Sequence, residues 1–267
     1  MKANIPHAAV TPNQRGFSLI ELALVLLILG VASWAIAGSY GNSAIVGERD
    51  LARAHGQTLL NTLRAFALNN GRLPCPDTTA IGSTNNGWET ISAAGICSAS
   101  TETGMFPYRS LGLDLPDNKL RAAYGVYRNS AARADLTVQV ERTDFPPVAS
   151  SVLDARDFIA ALNFAASVST PASNAHLYLT GDNLTLGSVN CAATVVSNQA
   201  FVLVMPLRDR NGSGGVGSEF DGIHNAFSTG TSVCASAPST PFSLNMDDVV
   251  VAESFAGLAG WMAPRVP

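Results

Sequence analysis

Glu21 is a carboxylate set immediately before a run, Leu22 to Ala37, that contains no charge at all (LALVLLILGVASWAIA). An ionisable group at the centre of a bilayer helix costs about 2.5–3.5 kcal/mol on insertion scales and is usually functional. A buried carboxylate of this kind needs a cation beside it. A second cluster is Asp209-Arg210-Asn211-Gly212-Ser213-Gly214-Gly215, with oxygen side chains on Asp209, Asn211 and Ser213 and glycine at the sixth place. That is the opening of a calcium loop. The pattern then fails, because the twelfth place is Phe220 and the nearby acids are Glu219 and Asp221. Asp247 and Asp248 join only if their strand lies alongside. A glycine-rich surface turn explains the same residues more simply, and no other cofactor is called for.

The four cysteines, Cys75, Cys97, Cys191 and Cys234, include no CxxC pair, which argues against zinc. In an exported chain an even count reads as two disulfides. Three pairings are open; Cys75–Cys97 and Cys191–Cys234 are favoured because each closes one loop-rich segment. The four histidines, His7, His55, His176 and His224, are scattered, and no GxSxG or Cys/His pair supports nucleophilic catalysis. The chain therefore does not read as an enzyme. Trp88 and Trp261 read as core or loop packing.

These residues need positioning elements. Residues 17–38 form a 22-residue stretch, about 33 Å as a helix, which matches the roughly 30 Å core of a bilayer. Lys2 and Arg15 precede it and favour an N-terminus-in orientation. Residues 39–70 continue as an amphipathic helix. Leu51, His55, Leu59, Leu63, Phe66 and Ala67 fall near one stripe, with Glu48, Arg49, Arg53, Gln57, Asn61 and Arg64 on the other side. Gly41, Gly47 and Gly56 weaken this helix, so bending is expected. Asn69-Asn70-Gly71 ends it, with Gly71 in a left-handed cap.

The remainder, 71–267, reads as one loop-rich domain. Leu136–Val140 alternates as a half-buried strand does. Leu153–Ala166 is a helix with acids in its first turn. Strands are expected near His176–Leu179, Ala200–Met205 and Asp248–Val251, with Ala200–Met205 central because its apolar run is unbroken. A short helix over Glu253–Met262 ends the chain. The fold class is α+β: a helical spine, half membrane-spanning and half amphipathic, packed on a mostly antiparallel sheet.

Gly16-Phe17-Ser18-Leu19-Ile20-Glu21, behind a short basic leader and before an apolar helix, resembles the processing signal of type IV pilins and type II secretion pseudopilins. The resemblance implies a 1–16 leader, cleavage between Gly16 and Phe17 by a prepilin peptidase, and N-methylation of Phe17. Glu21 lies four residues beyond the new N-terminus, on the same helical face. It would set register by offsetting the Phe17 ammonium of its own chain or of a neighbour. LPCPD, the loop to Cys97, FPYRSLGL and YGVYR resemble a linker of minor pilin-like proteins, expected to connect the helix to the sheet.

The implied protein is a structural subunit, a minor pilin or pseudopilin, of a pilus or secretion filament. Its partners are the peptidase, other subunits, the inner-membrane assembly platform and the membrane. It would sit in the inner membrane with the C-terminal domain in the periplasm, and then in the filament. Cleavage leaves 251 of the 267 residues, large for a major subunit. Without Lys2 and Arg15 the 16 basic residues fall to 14 against 20 acidic ones, a net charge of −6, so nucleic acid is not an expected partner. Two alternatives use the same residues. One is an anchored or secreted extracytoplasmic binding domain that never assembles. The other is an ordinary signal peptide ending at Ala35-Ile36-Ala37, which leaves Glu21 unexplained.

Overall fold

The computed structural model describes residues 18–93, 95–98, 101–142, 153–181, 189–191, 194–207, 219–243 and 245–266, with the backbone alone for 35–44. The chain divides into two compact units, 1–47 and 48–267. Helix α1 (Leu19–Asn70) contributes to both and is continuous through Gly41, Gly47 and Gly56. Between Leu19 and Trp34 its large apolar side chains are exposed: Leu19 is 86% exposed and Trp34 81%.

The second unit is built on a four-stranded antiparallel sheet. Its order is β1 (Thr103–Met105), β2 (Ala123–Val126), β5 (Phe201–Met205) and β7 (Val249–Glu253). β5 is central, and both its faces are covered. Phe201, Leu203 and Met205 face a core made with Leu59, Leu60, Leu63 and Ala67 of α1, α2 (Ala155–Val168) and α4 (Phe255–Met262). Val202 and Val204 face Leu177, Leu179, Phe220, Phe227 and Ala235. Burial on both sides is why β5 shows no polar alternation. The second face is closed by a smaller sheet, β4 (Val195–Asn198), β3 (Tyr178–Thr180) and β6 (Cys234–Ser236), and by α3 (Ile223–Ser228). Within that sheet β3 pairs antiparallel with β4 and parallel with β6. The fold is α+β, with the N-terminal helix packed on a mostly antiparallel sheet.

Gly56 sets how closely α1 meets the sheet. A Cβ there would lie 2.6 Å from Met205 Cε and 2.9 Å from Val251 Cγ2. The buried stripe starts at this glycine, so Leu51, expected inside, is 74% exposed. Arg64, expected on the polar side, reaches the sheet edge instead. Its NH2 lies 2.5 Å from Glu253 Oε2 and its Nε donates at 2.9 Å, with the guanidinium 5.6 Å above the Trp261 ring. Gly71 takes the left-handed cap at φ 59°, and its N–H donates to Ala67 O at 2.9 Å. α2 begins with a capping box in which the Asp154 side chain accepts from Arg156 N and Asp157 N and Asp157 returns to Asp154 N.

The expectations after α1 need correction in two places. Thr103–Met105 and Ala123–Val126, expected to belong to the connection, are strands β1 and β2 of the main sheet itself. Residues 136–140 form turns rather than a strand. The reason is Arg142, whose guanidinium donates to the carbonyls of Ala132 (2.7 Å), Arg133 (3.0 Å), Asp135 (3.2 Å), Val138 (3.1 Å) and Val140 (3.1 Å). Carbonyls that converge on one cation are lost to a strand ladder. Asp135 tightens the turn by accepting from Thr137 N at 2.8 Å and Thr137 Oγ1 at 2.7 Å.

Candidate functional site

At the N-terminus, Gly16 and Phe17 lie outside the described residues. Ser18 and Glu21 lie within them and form a reciprocal cap. Glu21 Oε2 accepts from Ser18 N at 3.0 Å, Ser18 Oγ accepts from Ile20 N at 3.4 Å, and Ser18 O accepts from Leu22 N at 3.2 Å. The spacing Ser18-x-x-Glu21 is that of a capping box, a signal legible in the sequence and missed there. Glu21 thus closes the start of α1 in the uncleaved chain, close to where a cut after Gly16 would free an amine. Among the described residues no helix is long and apolar enough to cross a membrane. The expected span, 17–38, runs beyond the described side chains at both ends, since they begin at Ser18 and break off after Trp34.

In the second unit, Cys75 is bonded to Cys97 and Cys191 to Cys234, with Cα separations of 5.5 and 5.8 Å. The first bridge closes a loop that a further ion pair holds to the end of α1: Arg72 NH1 and NH2 meet the two oxygens of Glu89 at 2.7 and 3.2 Å. Trp88 in this loop is 49% exposed, not core.

Asp209, Asn211 and Ser213 lie outside the described residues. The flanks of their loop are described, and both end on one carboxylate. Leu207 N donates to Asp248 Oδ1 at 3.4 Å and Asp221 N donates to Asp248 Oδ2 at 3.0 Å. Asp221, Asp247 and Asp248 are all buried and each offers an oxygen within 4.8 Å of the others. Three carboxylates at this separation repel unless a proton, a basic group or a metal ion offsets them. Such an all-oxygen set suits a hard divalent cation, whose ligands lie about 2.3–2.6 Å from calcium.

Asp248 is also one end of a buried relay. His224 Nδ1 lies 2.9 Å from Asp248 Oδ2, and His224 Nε2 lies 3.1 Å from Ser236 Oγ. Ser236 N donates to the same Nε2 at 3.2 Å. A backbone N–H only donates, so Nε2 accepts and Nδ1 donates to Asp248. The order Ser–His–Asp is that of a nucleophilic triad, but Ser236 is 2% exposed and His224 0%. The cavity beside Ser236 is about 20 Å³, room for a water molecule or so. As arranged, the relay ties α3, β6 and the start of β7 together.

His176 and His55 are also held, while His7 lies outside the described residues. His176 Nδ1 lies 3.0 Å from Glu102 Oε1, whose second oxygen accepts from Leu177 N at 2.6 Å. Burial pushes the Glu102 carboxyl up, and His176 and Leu177 offset this only in part. His55 Nε2 lies 3.4 Å from the Tyr108 hydroxyl, and burial lowers its pKa.

The geometry therefore defines a class: an apolar, carboxylate-capped N-terminal helix carrying a disulfide-bonded α+β domain. Residues 11–37 match the prokaryotic N-terminal methylation motif. The chain is also 28% identical over 74 residues to the type II secretion system core protein G of Xanthomonas campestris pv. campestris. That similarity covers 28% of this chain and 52% of the other, so the chain spans about half the length of the curated relative it matches. No solved structure matches. The motif and this similarity support assignment of the chain to the type IV pilin and pseudopilin family.

Proposed function

We propose that the chain is a filament subunit, a minor pilin or pseudopilin, that assembles through the first part of α1. The observation that carries the reading is the exposed apolar stretch within the methylation motif. Eleven large apolar side chains between Leu19 and Trp34 are each 45–86% exposed. Apolar surface on that scale is covered in use, first by lipid and then by the helices of neighbouring subunits. Cleavage by a prepilin peptidase after Gly16 and methylation of Phe17 precede assembly. The subunit then passes from the inner membrane, with its second unit in the periplasm, through the assembly platform into the filament. Glu21 releases Ser18 N to meet the Phe17 ammonium of an adjacent subunit and so sets register.

Glu21→Leu tests this directly. It is expected to leave cleavage at Gly16 intact and to abolish recovery of the subunit in sheared filaments. Normal assembly of Glu21→Leu overturns the register argument and favours an anchored domain that does not assemble.

The carboxylates of Asp221, Asp247 and Asp248 supply a calcium site in the same reading. Calcium at millimolar concentration is expected to raise the thermal midpoint of the full chain, and chelation or Asp247→Asn to remove the gain. A midpoint that ignores calcium contradicts the assignment.

A further inference from the structure

We propose that a cleft in the second unit, between α1 and the end of β5, binds a small neutral amphiphile: an apolar body carrying one hydroxyl or carbonyl group. The cleft measures about 550 Å³, within the range of small-molecule sites. Leu51 and Ala52 of α1 form one wall, Leu120 of the short turn Asn118–Leu120 a second, and Met205 and Leu207 the third.

Protein interiors leave few voids larger than a water molecule. This one follows from the sequence of α1. At Gly56 the helix lies so close to Met205 and Val251 that a Cβ would collide with both. One turn earlier stands Ala52, too short to fill the space in front of it. Leu51 and Leu120, 74% and 63% exposed, stand open at the edge of the cleft. Pro116 and Pro206 also line it, and their fixed φ stiffens two of its walls.

His55 supplies a polar group on the wall, and its tautomer can be assigned. Ala122 N donates to the Tyr108 hydroxyl at 3.0 Å, and burial pushes that hydroxyl up to about 12, so it keeps its proton. The acceptor that meets this proton is His55 Nε2, 3.4 Å away. Burial lowers the His55 pKa and keeps the ring neutral. The ring proton therefore sits on Nδ1. Among the described residues no acceptor meets Nδ1, so a ligand that brings an acceptor finds a donor waiting.

The charges at the mouth disfavour an ion. Glu48 and Glu219 stand against Lys119, with Lys119 Nζ 3.7 Å from Glu219 Oε1. A carboxylate would face the two glutamates. An ammonium would face Lys119 and the Nδ1–H. Either would also give up water for apolar walls, and a neutral hydroxyl or carbonyl bonded to Nδ1 loses far less. The inference goes beyond filament assembly and does not depend on it.

The test uses the full chain in lipid discs with isotope-labelled methionine methyls. The probe is octanol, with octanoate and octylamine as ions of the same chain length. Met205 reports from the cleft wall, and Met262, fully buried in α4, is the control. Plotted against free aqueous concentration, octanol is expected to move the Met205 signal saturably and to leave Met262 still. Each ion is expected to bind about tenfold more weakly or worse. Ala52→Phe fills the cleft and should weaken octanol binding about tenfold or more. His55→Phe keeps a ring but removes the donor, and should weaken it about fivefold, the worth of one hydrogen bond. A Met205 signal that does not saturate, a Met262 signal that moves in step with it, an ion that equals octanol, or unchanged binding in Ala52→Phe or in His55→Phe each overturns the proposal. If Ala52→Phe does not fold, His55→Phe and the two ions decide.

Discussion

Glu102 shows how burial of a single carboxyl sets a pH dependence. Its ordinary value is 4.5, and burial raises it, with the contacts to His176 and Leu177 pulling back only in part. A raised carboxyl binds its proton more tightly in the folded chain than in the unfolded one. Its contribution to stability is then full below 4.5, falls as pH rises through the range from 4.5 to the raised value, and is level above it. Glu102→Gln removes the titration and keeps an acceptor for Leu177 N. As pH rises above 4.5, the thermal midpoint of Glu102→Gln should fall less steeply with pH than that of the parent chain. Equal slopes contradict the assignment. At this scale the sequence was informative where one residue stood against its surroundings, as Glu21 does before an uncharged run. It was less so where the partner was remote: His224 and Ser236 are twelve residues apart and Asp248 a further twelve, and only the packing of α3 on β6 brings them together. Ser18 and Glu21 carry two signals at once, since the same carboxylate that stands out before an uncharged run also caps the helix through Ser18 N.

Among the elements, β5 announced itself because both its faces are buried, and α2 because acids open it and apolar residues repeat through it. The three- and four-residue strands β1, β3, β4 and β6 are too short for periodicity to mark. Residues 136–140 misled because Leu136, Val138 and Val140 alternate while their carbonyls serve Arg142. Arg142 is thus the organiser of the 129–142 segment, and burial pushes its own pKa down. Arg142→Ala leaves five carbonyls without their donor. It should lower the unfolding free energy by about 3 kcal/mol or more, and Arg142→Lys should recover only part of this, since an ammonium has three donors on one point. Denaturant unfolding measures both. A loss below about 1 kcal/mol, in the range of ordinary surface changes, contradicts the role given to the guanidinium.

For the molecule as a whole, the two units divide the work. Residues 19–34 expose apolar side chains along α1, and the second unit buries its own around the main sheet. The division was legible because hydropathy changes character along a single helix: uncharged from Leu22 to Ala37, then striped from Gly56 onward. The point at which the stripe begins was not legible, because it depends on how closely Met205 and Val251 approach Gly56. Everything proposed for the first unit depends on where the working chain begins. The decisive measurement is intact and N-terminal peptide mass spectrometry of the protein isolated from its own envelope. A chain that starts at N-methylated Phe17 is the predicted result and establishes the prepilin route. A chain that starts at Gly38, or one that retains Met1, contradicts it.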